Sequence, residues 1–265
     1  MTPSELYQAG MLTEAVTAAL EGVKSHPTDT SRRGLLAELL CFAGELERAD
    51  KQLETIGHQE PKSIVGLSML RQLVRAETAR QQFFSEGRLP EFLKEPSPVL
   101  RLHLDASIAL REGATAEAAE LIAKADAARA PVAGTCDGQP FDDIRDLDDL
   151  TASFFEVLTS TGKYYWIPTD QVEIIEFHAA QRPQDLLWRR AHMIVNDGPD
   201  GEVYLPTLYA KTHASGDDQL RLGRGTSWSG GEGSPVLGVG QRTFLIGEED
   251  RPIMQLKVLE FRQPD

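Results

Sequence analysis

Only two of the 265 residues are cysteine. Cys41 and Cys136 share no CxxC spacing and have no nearby histidine, so the sequence offers no thiolate metal site. Cys41 lies in the apolar stretch Leu39, Leu40, Cys41, Phe42 and reads as a buried reduced thiol. Long hydrophobic runs are missing as well, none approaching the roughly 20 residues of a membrane span. The opening residues Met1 to Glu5 lack the charged and then apolar pattern of an export signal, so a cytoplasmic protein with no membrane insertion is expected. Positive charge is scarce: 27 Lys and Arg stand against 41 Asp and Glu, for a net charge of −14. The deficit is uneven, with 15 against 19 over residues 1–130 and 12 against 22 over residues 131–265. Neither half supplies the basic surface that phosphate backbones require, which argues against nucleic acid and anionic membranes. An acidic second half suits a basic protein partner instead.

Catalytic wording is absent too. There is no GxSxG, no P-loop, and no GxGxxG between a strand and a helix. His178, His192 and His213 fall in no recognisable arrangement with Ser, Cys or paired carboxylates. The expectation is therefore no catalytic residue, no cofactor and no metal. The glycines at 223–226 and 238–240 read as tight turns between strands.

What is present is an internal echo. Gly10, Leu12, Ala15, Ala19 and Pro27 return 34 residues later as Gly44, Leu46, Ala49, Leu53 and Pro61. This is the period of tetratricopeptide helix pairs, in which Gly turns the chain, Ala permits close approach and Pro stops the second helix. The echo degrades at Gly87, where Phe92 takes the place expected for Ala, and partly recovers at Gly113. About three helix pairs are expected, with residues 63–85 as an additional helix. Stacked units of this kind present a surface that binds other proteins.

The character changes near Ala130, Pro131 and Gly134. Two domains are expected: a TPR-like helical-repeat domain over 1–130 and an α+β domain over 131–265. Alternating runs predict strands at 164–167, 172–177, 190–195, 203–208, 242–246 and 253–261, with a hairpin turn at 197–201. Leu150, Phe154, Val157 and Leu158 predict one helix over 148–158. An antiparallel, barrel-like sheet is the expected architecture of this half.

The wording of the second half is distinctive. Gly162 to Pro168 (GKYYWIP) is followed by Asp185 to Arg189 (DLLWR), Pro206 to Tyr209 (PTLY), Leu222 to Trp228 (LGRGTSW) and Gly238 to Arg242 (GVGQR). In that order these segments resemble the ImpE family, also called TagJ, accessory proteins of the bacterial type VI secretion system. Arg33 to Leu53 is similar to that family's leucine-rich helix pair. The resemblance implies a cytoplasmic, non-enzymatic adaptor associated with the contractile sheath. It further implies binding to the N-terminal helix of the small sheath subunit, with influence on sheath disassembly by the AAA+ ATPase of the system.

Tyr164, Tyr165, Trp166, Trp188, Arg189, Arg224, Trp228 and Arg242 are the candidate protein-binding residues, since exposed aromatics beside arginine make binding hot spots. Strand alternation sets Tyr165 on the face opposite Tyr164 and Trp166, and core packing is the competing role for Trp166 and Trp188. The acidic stretch at 142–149 has three readings: a divalent metal site, a helix start at Asp148 or Asp149, or an acidic strip facing a basic partner. From the first comes a rival function, a metal-dependent hydrolase using Asp142, Asp143, Asp146 and Asp148 with His178 or His192. A purely structural role in a larger complex is the third possibility.

Overall fold

The computed structural model describes residues 1–262, beginning with helices α1 (Pro3–Ala9), α2 (Leu12–Ser25), α3 (Thr30–Phe42), α4 (Leu46–Gln59), α5 (Ile64–Glu86), α6 (Pro98–Arg111) and α7 (Thr115–Ala128). Local chemistry starts several of them. Thr2 and Glu5 exchange side-chain and backbone bonds in a capping box ahead of α1, and Ser97 accepts from the Leu100 amide ahead of α6. The 34-residue echo appears as two helix hairpins, α1 with α2 and α3 with α4, whose turns hold Gly44 at φ +75 and Gly10 at φ +81. Ala15 and Ala49 are fully buried where the paired helices meet. α6 and α7 repeat the arrangement around Gly113 and buried Ala118.

No helix forms between Gly87 and Ser97. Pro90 and Pro96 deny amide donors there, and the segment makes one isolated bridge at Glu91 before bending at residues 93–95. Glu91 donates its amide to the Tyr164 carbonyl at 2.8 Å, and its own carbonyl accepts from the Trp166 amide at 3.2 Å.

The remaining chain forms β1 (Gly134–Cys136), β2 (Gln139–Phe141), β3 (Ile144–Asp146), β4 (Phe154–Leu158), β5 (Tyr164–Pro168), β6 (Val172–Phe177), β7 (Trp188–Val195) and β8 (Asp200–Pro206). After the short α8 (Asp218–Arg221) come β9 (Thr226–Gly231), β10 (Ser234–Gly240), β11 (Thr243–Ile246), β12 (Glu249–Pro252) and β13 (Val258–Phe261). An eight-stranded antiparallel sheet runs β2-β1-β13-β6-β7-β8-β4-β5, beside a three-stranded sheet β12-β11-β3 and the β9–β10 hairpin. The expected barrel is not closed: β2 and β5 are separate edges, and β5 bridges to Glu91 instead. The expected helix at 148–158 is also corrected, to a 3-10 turn at Asp149–Thr151 followed by β4. Every residue of β4 is buried, so its apolar spacing could not distinguish a helix from a strand covered on both faces. Of the strand expected at 253–261, only Val258–Phe261 forms, behind a 3-10 turn at Ile253–Gln255.

Helices and sheet share one apolar layer. Leu36, Phe42, Leu73 and Phe83 belong to the same buried cluster as Phe154, Tyr164, Trp166 and Trp188. Trp166 stacks on Phe154 with ring centroids 3.9 Å apart and meets Phe83 edge-on at 4.8 Å. A second cluster, around Phe155, Ile175, Phe244 and Leu259, fills the space enclosed by the sheets.

Candidate functional site

Glu156 sits in the middle of β4 between apolar neighbours and is 1% exposed. A carboxylate there needs cationic partners, and two arginines supply them. Arg80 of α5 engages both oxygens, Nε to Oε1 and Nη2 to Oε2, each at 2.9 Å. Arg242, just before β11, donates to Glu156 as well and reaches Asp146 Oδ2 at 2.9 Å. Arg80 also bonds Glu77 at 3.0 Å, and Glu77 accepts from Trp188 Nε1 at 3.1 Å. Tyr164 donates its hydroxyl to Glu156 and accepts from Trp166 Nε1 at 2.6 Å. Tyr209 donates to Asp146 at 2.8 Å. The result is a continuous ionic junction buried between α5 and the sheet.

Its electrostatics are divided. Burial alone would raise Glu156, but Arg80 and then Arg242 outweigh it and hold the carboxyl at about 2. Asp148 is pushed up to about 7 by burial and next by the charge of Asp146. Asp146 is raised by burial despite Arg242. The cavity against this junction, lined by Cys41, Glu77, Arg80, Trp188 and His213 among others, measures about 30 Å³ and has room for little more than water. Chemically the arrangement fixes α5 to β4 and offers no space to a substrate.

The eight residues expected to bind a partner divide by burial. Tyr164, Trp166, Trp188, Arg189 and Arg242 lie in the interior, and so present no contact surface here. Four of them join the ionic junction. Arg189 instead donates to the carbonyls of His178 and Ile253 and lies 4.9 Å over the Phe177 ring. Tyr165 does face away from its two neighbours, but it is half-buried against the second cluster. Arg224 is exposed and donates to the Tyr7 and Gln8 carbonyls at the end of α1, at 2.7 and 2.9 Å. Trp228 is 42% exposed and sits edge-on to Tyr209.

Comparison with known proteins decides what kind of chain this is. It is 30% identical over 265 residues to the type VI secretion system accessory component TagJ of Pseudomonas aeruginosa, a match covering 100% of this chain and 92% of that protein. Residues 138–260 match the family described as ImpE protein. The chain belongs to the ImpE family. Its fold is that of protein VPA1032 from Vibrio parahaemolyticus, known from an X-ray crystal structure. The TM-score is 0.92 at 27% identity, covering 99% of this chain and 98% of the other. The ImpE match begins at the β1–β2 turn and ends in β13, so it takes in both buried acids of the junction's sheet side, Asp146 and Glu156.

The acidic stretch of this ImpE chain is bound up in structural contacts. Asp143 pairs with Arg129, and Asp149 with Arg145 at 2.6 Å. Asp148 accepts from the amides of Leu150 at 2.9 Å and Gly238 at 2.8 Å, capping a 3-10 turn where the start of a longer helix was expected and also holding β10. His178 and His192 bond Glu202 and Asp200 of β8, at 3.1 and 2.9 Å, rather than the aspartates of the hydrolase reading. Among the described residues no three His, Cys, Asp or Glu side chains are grouped to hold a metal ion. Gly238 lies inside β10 and not in a turn: a Cβ there would fall 2.3 Å from the Tyr209 ring. Sequence reasoning missed Glu77, Arg80 and Glu156, although one signal was available. A lone carboxylate inside the apolar run 154–158 requires a buried cation somewhere in the chain.

Proposed function

We propose that this ImpE-family chain is a cytoplasmic, non-catalytic accessory protein of a type VI secretion system. In this reading it binds the N-terminal helix of the small sheath subunit and modulates sheath disassembly by the system's AAA+ ATPase. The observation that carries it is the end-to-end similarity to TagJ, which spans the helices as well as the sheets. The three helix hairpins add support, because a TPR-like stack offers a surface for a partner helix. Two domains, 1–130 and 131–265, remain the proposed organisation, docked through the shared core. Tyr165, Arg224 and Trp228 are the proposed contact residues, being the sequence candidates that retain accessible surface. A non-catalytic role is favoured by the engagement of the acidic and histidine groups with each other and with arginines. No helix among the described residues is long and apolar enough to cross a membrane.

Calorimetric titration of the full chain with the isolated N-terminal segment of the small sheath subunit tests the proposal. Saturable heat in the micromolar range is expected. No binding up to high micromolar peptide would overturn it.

A further inference from the structure

A groove opens between α5, α6 and the β9–β10 hairpin. Phe84, Leu110, Leu150, Leu237 and Val239 give it apolar walls, and it encloses about 100 Å³. That is roughly the space of one aliphatic side chain and well under the ~300 Å³ at which small-molecule pockets begin. The fitting occupant is a single anchor residue of another polypeptide.

The charge at this groove is unusual for the chain. Lys211 lines it, is exposed, and has no ion-pair partner among the described residues. Arg111 lines it too, its guanidinium bonded to the Phe83 carbonyl and Ser107 Oγ, both acceptors without formal charge. Elsewhere arginines are commonly neutralised, as Arg145 is by Asp149 and Arg71 by Asp50. Asp148, the one carboxylate in the lining, is 7% exposed and engaged by the Leu150 and Gly238 amides, not by these cations. Two cations without carboxylate partners beside an apolar slot, in a protein of net charge −14, complement an acidic partner and not a basic one.

We propose that this groove docks a protein segment with an aliphatic anchor flanked by carboxylates. The anchor lies between Leu110 and Leu237, and the carboxylates meet Lys211 and Arg111. The inference rests on the reading of the chain as a protein-binding accessory component and adds to Tyr165, Arg224 and Trp228, which lie outside the groove, a second contact surface with one partner chemistry.

Two synthetic amphipathic peptides with the same leucine face, one carrying Glu and the other Lys on the polar face, probe it against the full chain by fluorescence anisotropy. The Glu peptide is expected to bind saturably and at least tenfold more tightly than the Lys peptide. Lys211→Glu, which changes an exposed residue, should reverse that preference, and Ser229→Trp at the groove wall should weaken the Glu peptide at least tenfold. Circular dichroism establishes that both variants are folded. Absence of Glu-peptide binding to the millimolar range, equal binding of both peptides, or indifference to the two substitutions overturns the proposal. A dimer of the wild-type chain that Ser229→Trp dissociates would assign the groove to a second copy and also overturn it. The sheath-segment titration is separate: its success beside a failed Glu peptide removes the groove and leaves the accessory reading, and the reverse pattern removes the accessory reading alone.

Discussion

Arg242 lies between two buried carboxylates, and its loss would leave Glu156 with Arg80 alone and Asp146 with no ion-pair partner among the described residues. Removing one member of a buried ionic set costs about 3–5 kcal/mol, so Arg242→Met is expected to lower the urea-unfolding free energy by that order. A loss under about 1 kcal/mol would contradict the junction's role in holding the fold. The same groups set the response to acid. Glu156 titrates lower in the folded protein than in the unfolded chain, so its stabilisation is present above about pH 4 and disappears as the pH falls toward 2. Asp148 does the opposite: its raised carboxyl favours the folded state below about pH 4, and that contribution is lost as the pH rises through 7. The buried His103 and His213 are held low and pull the other way over the same range, so Asp148 is read as a difference: from pH 5 to 8 the wild-type urea midpoint should fall relative to that of Asp148→Asn, and a constant difference would contradict the assignment. At this scale the capping function of Asp148 was legible in the sequence, because a carboxylate ahead of a turn has local meaning. The fate of Trp166, Trp188 and Arg189 was not, since an aromatic beside an arginine has the same sequence in a core as at a contact surface.

Gly44 illustrates how an element is fixed from outside itself. Its positive φ disfavours any side chain, and a Cβ there would also lie 2.6 Å from the His213 ring. Gly113 ends α6 at a similar φ with nothing within 4 Å of its Cβ position. Backbone strain alone costs about 1–2 kcal/mol, so Gly113→Ala should show that much and Gly44→Ala distinctly more. In a double-mutant cycle, His213→Gly, which removes the Cβ as well as the ring from the 2.6–2.7 Å contacts, should return the excess of Gly44→Ala and leave Gly113→Ala unchanged. Equal costs at the two glycines would contradict the packing seat. The helix hairpins were readable because Gly, Ala and Pro recur at fixed offsets, each with a mechanical reason. β4 was not, because burial on both faces erases the period on which the distinction between helix and strand depends. The edges of the large sheet were also hidden, since closure depends on whether β2 meets β5, which no local pattern encodes.

Across the whole molecule, α5 touches the sheet through both the apolar layer and the Arg80–Glu156 pair. Unfolding should therefore be a single cooperative event, with far-ultraviolet dichroism and tryptophan fluorescence giving coincident urea transitions. A helical signal lost well before the fluorescence change would contradict this coupling. The change in composition near residue 130 falls between the end of α7 and the start of β1, yet the core crosses that point because apolar faces on both sides cover one another. Family membership accounts for the shared architecture, and the accessory role in secretion is the proposal built on it. Co-sedimentation of the full chain with assembled contractile sheath tests that proposal most directly. The account predicts saturable recovery in the sheath pellet that free N-terminal segment of the small subunit competes away; a chain that stays in the supernatant at every sheath concentration would contradict it.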